Sequence, residues 1–239
     1  MVDLGDLRRD KPTARAVYGN AASIFAGDWL LVEALRRVGR ANVDGALQSL
    51  LSAIEEMIFA ESLQLERRGS GDLDRDAYFR VVEGKTAALF RWAAATGGAA
   101  AGLHSDAIAA LDTFGAQLGV AFQLVDDVLD FGKGDPDKTL FADLREGKAT
   151  YPLIVGAERD PGLQGLIRDA MALPPGEALP DTLSKSVMRS LEQTGALRTA
   201  TEEATRRSQA ATEALTRVPD VAARHALAVV AESTVNRTR

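Results

Sequence analysis

Three carboxylates, Asp126, Asp127 and Asp130, fall within the apolar stretch Phe122-Gln123-Leu124-Val125-Asp126-Asp127-Val128-Leu129-Asp130. Leu118, Phe122, Val125 and Leu129 recur at three- and four-residue spacing, which predicts a helix. On that helix Asp126 and Asp130 stack one turn apart and Asp127 faces Asp130 at i,i+3. Gln123 lies one turn earlier on the same side. The expected arrangement is one acidic cluster, and no basic residue stands between Leu118 and Phe131 to neutralise it. Like charges this close cost free energy unless a cation joins them. Mg2+ answers that need, because it takes one or two carboxylates together with phosphate oxygens and water. The plainer alternative is an acidic helix end ahead of the break at Gly132. Lys138 and Lys148 follow just beyond a Gly/Pro/Asp loop, and acids with lysines beside them suit a diphosphate bridged by metal ions.

A second feature is Lys85. Tyr78, Val81, Val82, Leu89 and Phe90 mark the apolar face of a helix expected from about Asp74–Asp76 to Thr96, ending at Gly97-Gly98. Lys85 falls inside that face, where a lysine is uncommon unless it is paired or snorkels. Two alternatives follow: it snorkels at the edge of the stripe, or it points into a wet acidic cavity.

The elements that must carry these residues read as helices throughout. One is expected from about Ala14 to Val38, stopped by Gly39, and one from about Asp44 to Arg68, stopped by Gly69-Ser70-Gly71. The aspartate stretch ends a helix from about His104 to Phe131, and another runs from Ala149 to Glu158. Past Asp160-Pro161 the chain is amphipathic helix in pieces, broken near Pro174-Pro175-Gly176 and Pro180-Asp181, with no catalytic constellation expected there. Apolar residues make up 46% and aromatics 5% of the 239 residues, with no strand-like alternation, so the expected class is all-α in one domain, 1–239. Without cysteine there is no disulfide and no thiolate metal site, and His104 and His225 are too few for a histidine zinc site. A net charge of −6 argues against nucleic acid as a partner. No apolar run of spanning length and no basic-then-apolar leader is read, so the expectation is a cytoplasmic protein without stable membrane insertion.

The run from Gly119 to Pro152, GVAFQLVDDVLDF and then GKATYP, resembles the second aspartate-rich region of the trans-polyprenyl diphosphate synthases. That family's pattern is roughly GxxFQxxDDxxD, a loop, and D-x-x-x-GK-x-T-x-P, with Asp143 at the aspartate and Gly147-Lys148 at the GK. Asp137-Lys138 departs from it, since Gly-Lys is usual there. The N-terminus resembles the end of the family's first motif, with Asp3 as its last aspartate, Arg8-Arg9 as its arginine pair and Asp10 in place of glycine. Gly19–Asp28, Glu61-Ser62-Leu63-Gln64 and Lys85-Thr86 resemble further family segments, Ala60 replacing a glycine in the second.

The resemblance implies a helical bundle of the isoprenoid synthase type around a central cavity, lacking its first helices. It implies transfer of an allylic prenyl group from its diphosphate to isopentenyl diphosphate. By the same resemblance Asp126 and Asp127 hold Mg2+, Asp130 lends field or a water-mediated contact, and Asp3 is a ligand on the opposite wall. Lys85, Lys138, Lys148 and Arg8 grip the allylic diphosphate with Thr86 and Gln123 in support. Arg9 takes the diphosphate of isopentenyl diphosphate, arginine's planar fork matching phosphate oxygens. A homodimer is also implied. The first two aspartates of the first motif and a Gly-Lys-x-x-Arg segment are expected upstream of Met1, and a chain starting at Met1 is expected to lack elongation activity. Two alternatives stay open: a non-catalytic regulatory subunit or isoprenoid-binding remnant, and a class I terpene cyclase. The retained set Lys85, Asp126, Asp127 and Lys148 favours the enzyme.

Overall fold

Helix after helix forms where apolar residues recur at three and four, and Thr13, Asp74 and Asp160 cap the helices that follow them. The computed structural model describes residues 7–8 by backbone, and 11–132, 141–174, 177–219 and 221–237. Asp3, Arg9 and Lys138 lie outside the described residues, as does the side chain of Arg8. The chain divides into two compact units, Met1–Ser49 and Leu50–Arg239, with the boundary inside one helix.

In the first unit, β1 (Leu7–Arg8) pairs antiparallel with β2 (Lys11–Pro12), Leu7 opposite Pro12. The helix α1 (Ala14–Arg40) starts at Thr13, whose hydroxyl accepts the Ala16 N–H at 3.3 Å. It kinks at Gly19, where φ is +82°. Gly39 does not stop it: the helix runs on to Arg40, and Asn42 supplies the left-handed residue (φ +55°) beyond the end. None of its residues is buried. The next helix, α2 (Ala46–Arg67), begins here and continues into the second unit.

Among its described residues the second unit has helices joined by turns and loops, and no strand. Asp74 caps α3 (Arg75–Val82), accepting the N–H groups of Asp76 at 2.9 Å and Ala77 at 3.3 Å. The expected single helix from Asp74 to Thr96 is instead interrupted by a π turn, Glu83–Ala87, before α4 (Ala88–Ala100). A π turn holds one residue more than an α turn, so every side chain after it shifts round the axis. Ala87 and Ala88 therefore take the buried side while Leu89, expected on the apolar face, is 41% exposed. Gly97-Gly98 does not end this helix either, since the turn comes at Ala101-Gly102.

The centre of the unit is α5 (Ser105–Leu129), which packs on α4 and on α10 (Ala196–Ala214). Its length and apolar composition would suit a membrane span, contrary to the expectation that no such run exists, but 56% of that window is buried inside the fold. Around it lie α6 (Ala142–Arg145), α7 (Tyr151–Arg159), α8 (Pro161–Met171), α9 (Asp181–Thr194) and α11 (Ala222–Val235). One core cluster gathers Tyr78, Leu124, Leu144, Tyr151, Leu153 and their neighbours; the other gathers Leu111, Phe114, Leu118, Leu215 and Val218. Two glycines bring α5 close to the preceding segment. A Cβ on Gly115 would stand 2.5 Å from the Phe90 carbonyl oxygen, and one on Gly119 would stand 2.5 Å from Ala87 Cα. That close crossing lets side chains of the π turn reach those at the end of α5.

Candidate active site

The three aspartates do not form the single cluster expected from their spacing. Among the described residues no group of three His, Asp or Glu side chains converges to hold a metal ion. Asp126 and Asp127, as successive helical residues, point about 100° apart, and Asp130, just past the end of α5, turns to the start of α6. Asp127 is 2% exposed and turns inward. Its Oδ1 accepts from Gln123 Nε2 at 2.9 Å; its Oδ2 accepts from the Tyr78 hydroxyl at 2.6 Å and the Tyr151 N–H at 3.2 Å. Burial, helped by the charge of Asp143, raises its pKa to about 7 against the pull of those three donors. The same burial and the adjacent Asp127 push the Tyr78 hydroxyl well above its ordinary value.

Asp126 faces the other way, with its side chain 40% exposed and ion-paired to Arg237, just past the end of α11. The Arg237 guanidinium also lies over the Phe122 ring, 4.4 Å from its centroid. Asp130 follows α5 and anchors the start of α6, its carboxylate accepting the N–H groups of Ala142 at 3.0 Å and Asp143 at 3.3 Å.

The remaining expected residues connect to this centre by short steps. Thr86, in the π turn, donates to Gln123 Oε1 at 3.0 Å, and Gln123 passes the chain on to Asp127. Lys85 is not an unpaired charge in an apolar face. It is 34% exposed at the side chain and holds two groups of α2, Glu61 Oε2 and Gln64 Oε1, each at 2.6 Å. Lys148, 16% exposed, pairs with Glu146 at 2.6 Å and Asp143 at 3.4 Å. Gln64, Tyr78, Gly147 and Lys148 line one small cleft. The Glu146-Gly147-Lys148 segment sits against the end of α2: Gly69 N–H donates to the Gly147 carbonyl at 2.9 Å, and Arg68 donates to that of Glu146. Gly147 has φ +76°, and a Cβ there would come 2.8 Å from Gly69 N, so the backbones meet only because this residue is glycine.

Sequence reasoning missed Tyr78, Tyr151, Glu61 and Arg237. A tyrosine on an apolar face needs a partner for its hydroxyl, which was the available signal for Tyr78. Arg237 brings the end of the chain, where no catalytic constellation was expected, against Asp126, and no local pattern marks it.

A bundle in which one buried helix ends in an outward aspartate beside basic residues has the architecture of isoprenoid synthases. The polyprenyl synthetase family model matches residues 1–178, and this chain belongs to that family. It is 33% identical to the octaprenyl diphosphate synthase of Escherichia coli strain K12 over 242 residues, covering all of this chain and 74% of that one. The decaprenyl diphosphate synthase of Rhodobacter capsulatus superposes with a TM-score of 0.88 at 29% identity, over 98% of this chain and 72% of that one. A polyprenyl synthase of Caulobacter crescentus CB15, complexed with calcium and isoprenyl diphosphate, superposes with a TM-score of 0.88 at 31% identity, over 98% and 71%.

Proposed function

We propose that this protein is a Mg2+-dependent trans-prenyltransferase that joins an allylic prenyl diphosphate to isopentenyl diphosphate. In that reaction the allylic carbon–oxygen bond breaks, its carbon bonds to the isopentenyl double bond, and one proton leaves. Diphosphate and a prenyl diphosphate longer by five carbons are released. The observation that carries the reading is the bonded chain from Thr86 through Gln123 to Asp127, which joins the π turn carrying Lys85 to the end of α5, with Asp126 half-exposed at its edge.

The residues fit the metal at one point in particular. Asp126 offers a hard carboxylate at the rim, and a metal bound there neutralises charge on diphosphate oxygens. Asp127 and Asp130 already have partners on both oxygens, which gives them the role of holding the helix end in place. Lys85 and Lys148 supply positive charge where the leaving diphosphate gains negative charge. Each now leans on a glutamate, so a diphosphate binds by taking a cation from Glu61 or Glu146. Assembly as a homodimer and a cytoplasmic location accompany the reading.

Thermal melting with Mg2+, with a non-hydrolysable farnesyl diphosphate analogue, and with both tests the site. The combined shift should exceed the larger single shift, because phosphate oxygens complete the metal's coordination. Asp126→Ala should abolish the excess, and no excess in the unaltered protein overturns the proposal. Incorporation of labelled isopentenyl diphosphate by the 239-residue chain separately tests whether this stretch alone elongates.

A further inference from the structure

We propose that Tyr78 is a positioning residue for the diphosphate site, acting through Asp127 and Gln123 on Thr86; this rests on the prenyltransferase reading above. An ionised carboxyl accepts hydrogen bonds and cannot donate them, and it is in this form that Asp127 sets direction. Asp127 Oδ1 therefore fixes the Gln123 amide with its nitrogen inward, which leaves Gln123 Oε1 to accept the Thr86 hydroxyl. The direction of every bond from Asp127 to Thr86 follows from where the Asp127 carboxylate is held. Tyr78 holds it with a 2.6 Å bond, shorter than that from Gln123 (2.9 Å) or from the Tyr151 N–H (3.2 Å).

Tyr78 is well placed to be the fixed end. Its ring joins Phe79 and Tyr151 in a three-ring cluster, with centroids 5.2 and 5.5 Å away, and the side chain is buried in the larger core cluster. It belongs to α3 and Thr86 to the π turn, whereas Gln123 and Asp127 belong to α5. The bonded chain thus ties the segment carrying Lys85 and Thr86 to the end of α5 that carries Asp126. A buried carboxylate that loses a donor seeks another, so removing the tyrosine hydroxyl frees the Asp127 side chain to turn. The Gln123 amide then loses its enforced direction.

Tyr78→Phe, Thr86→Val and the double variant test this. In the ligand-free protein, exchange of the Gln123 side-chain amide protons should quicken about tenfold or more in Tyr78→Phe. Affinity for inorganic diphosphate with Mg2+ should fall about tenfold, and adding Thr86→Val should then cost less than about threefold more, because the two act through one chain. Lower melting with unchanged amide exchange and unchanged affinity is the result of a merely structural tyrosine and overturns the proposal. Should Tyr78→Phe fail to fold, Thr86→Val alone decides: it should move the Tyr78 Cζ resonance, though the two residues share no hydrogen bond, and an unmoved resonance is also fatal. If the unaltered protein binds no diphosphate, the prenyltransferase reading fails, while the exchange measurement still decides the role of Tyr78.

Discussion

Asp126 and Asp127 are consecutive residues in two different chemical worlds. Around Asp127 the neighbours are Tyr78, Tyr151, Gln123 and the core, and every partner is a neutral donor. At the rim the pairs are ionic: Asp126 with Arg237, Lys85 with Glu61, Lys148 with Glu146. The buried half sets geometry and the rim carries exchangeable charge. A ligand can displace the partly exposed pairs of Lys85 and Asp126 at modest cost, since exposed pairs contribute only about 0–1 kcal/mol, whereas Lys148, 16% exposed, is held more firmly. A ligand cannot enter the buried half without leaving donors unpaired.

The largest expected effect breaks the pair apart by stability. Asp127→Ala strands the Tyr78 hydroxyl, the Gln123 amide and the Tyr151 N–H, and should cost about 3 kcal/mol in urea unfolding. Asp126→Ala should change stability by less than about 0.5 kcal/mol, as exposed substitutions do. Equal losses in the two variants would remove the distinction.

Next in size is the response to pH in the metal-free protein. The Asp127 carboxyl titrates near 7 when folded, against 3.8 for a free side chain, so between those values the folded state binds more protons than the unfolded one. Its contribution to stability is therefore complete below about pH 4 and is lost as pH rises through 7. Melting temperature should fall by several degrees from pH 5 to pH 8, and Asp127→Asn should flatten that fall. Asp143, whose charge raises this pKa, is the other group to vary: Asp143→Asn should move the midpoint of the loss downward. A wild-type curve parallel to that of Asp127→Asn would mean the buried carboxyl carries no pH dependence.

Lys85→Ala sharpens the comparison from the rim side. Its ion pair with Glu61 is about one-third exposed on both sides, so stability should drop by less than about 1 kcal/mol. Diphosphate affinity measured by calorimetry with Mg2+ should weaken by about tenfold, the scale of one charge-assisted contact. Lost stability with intact affinity would return Lys85 to a purely structural role.

The helical class and the residues of the linked set were legible because periodicity and motif spacing are local. Thr86, Gln123 and Asp127 form one bonded chain, while Lys85, next to Thr86 in the π turn, bonds to Glu61 and Gln64 of α2. What local pattern could not carry was direction. The π turn at Glu83–Ala87 shifts the helix face by one residue, and nothing in Gly84-Lys85-Thr86 specifies that extra residue from a three- or four-residue repeat. Side-by-side aspartates read as one cluster, while packing against Tyr78 and Tyr151 decided which of them turned inward. The pairing of Arg237 with Asp126 joins residues 111 apart, beyond reach of any window in the sequence.

The smallest expected effect concerns that pairing. Arg237 and a metal ion both need the Asp126 carboxylate, and they cannot share an oxygen without repulsion between two cations. The guanidinium stacked over Phe122 is held by ring and carboxylate together, so it competes with the metal more effectively than a free solvent cation. Arg237→Ala should leave ligand-free melting within about a degree or two, since the pair is partly exposed. The Mg2+ concentration giving half the maximal diphosphate-dependent shift should drop about threefold, because the metal no longer displaces a cation. Arg237→Lys should fall between the two, keeping charge but losing the planar stack over the ring. A higher Mg2+ requirement in Arg237→Ala would instead make the arginine part of the ligand site, with its contact to Asp126 belonging to the empty state alone.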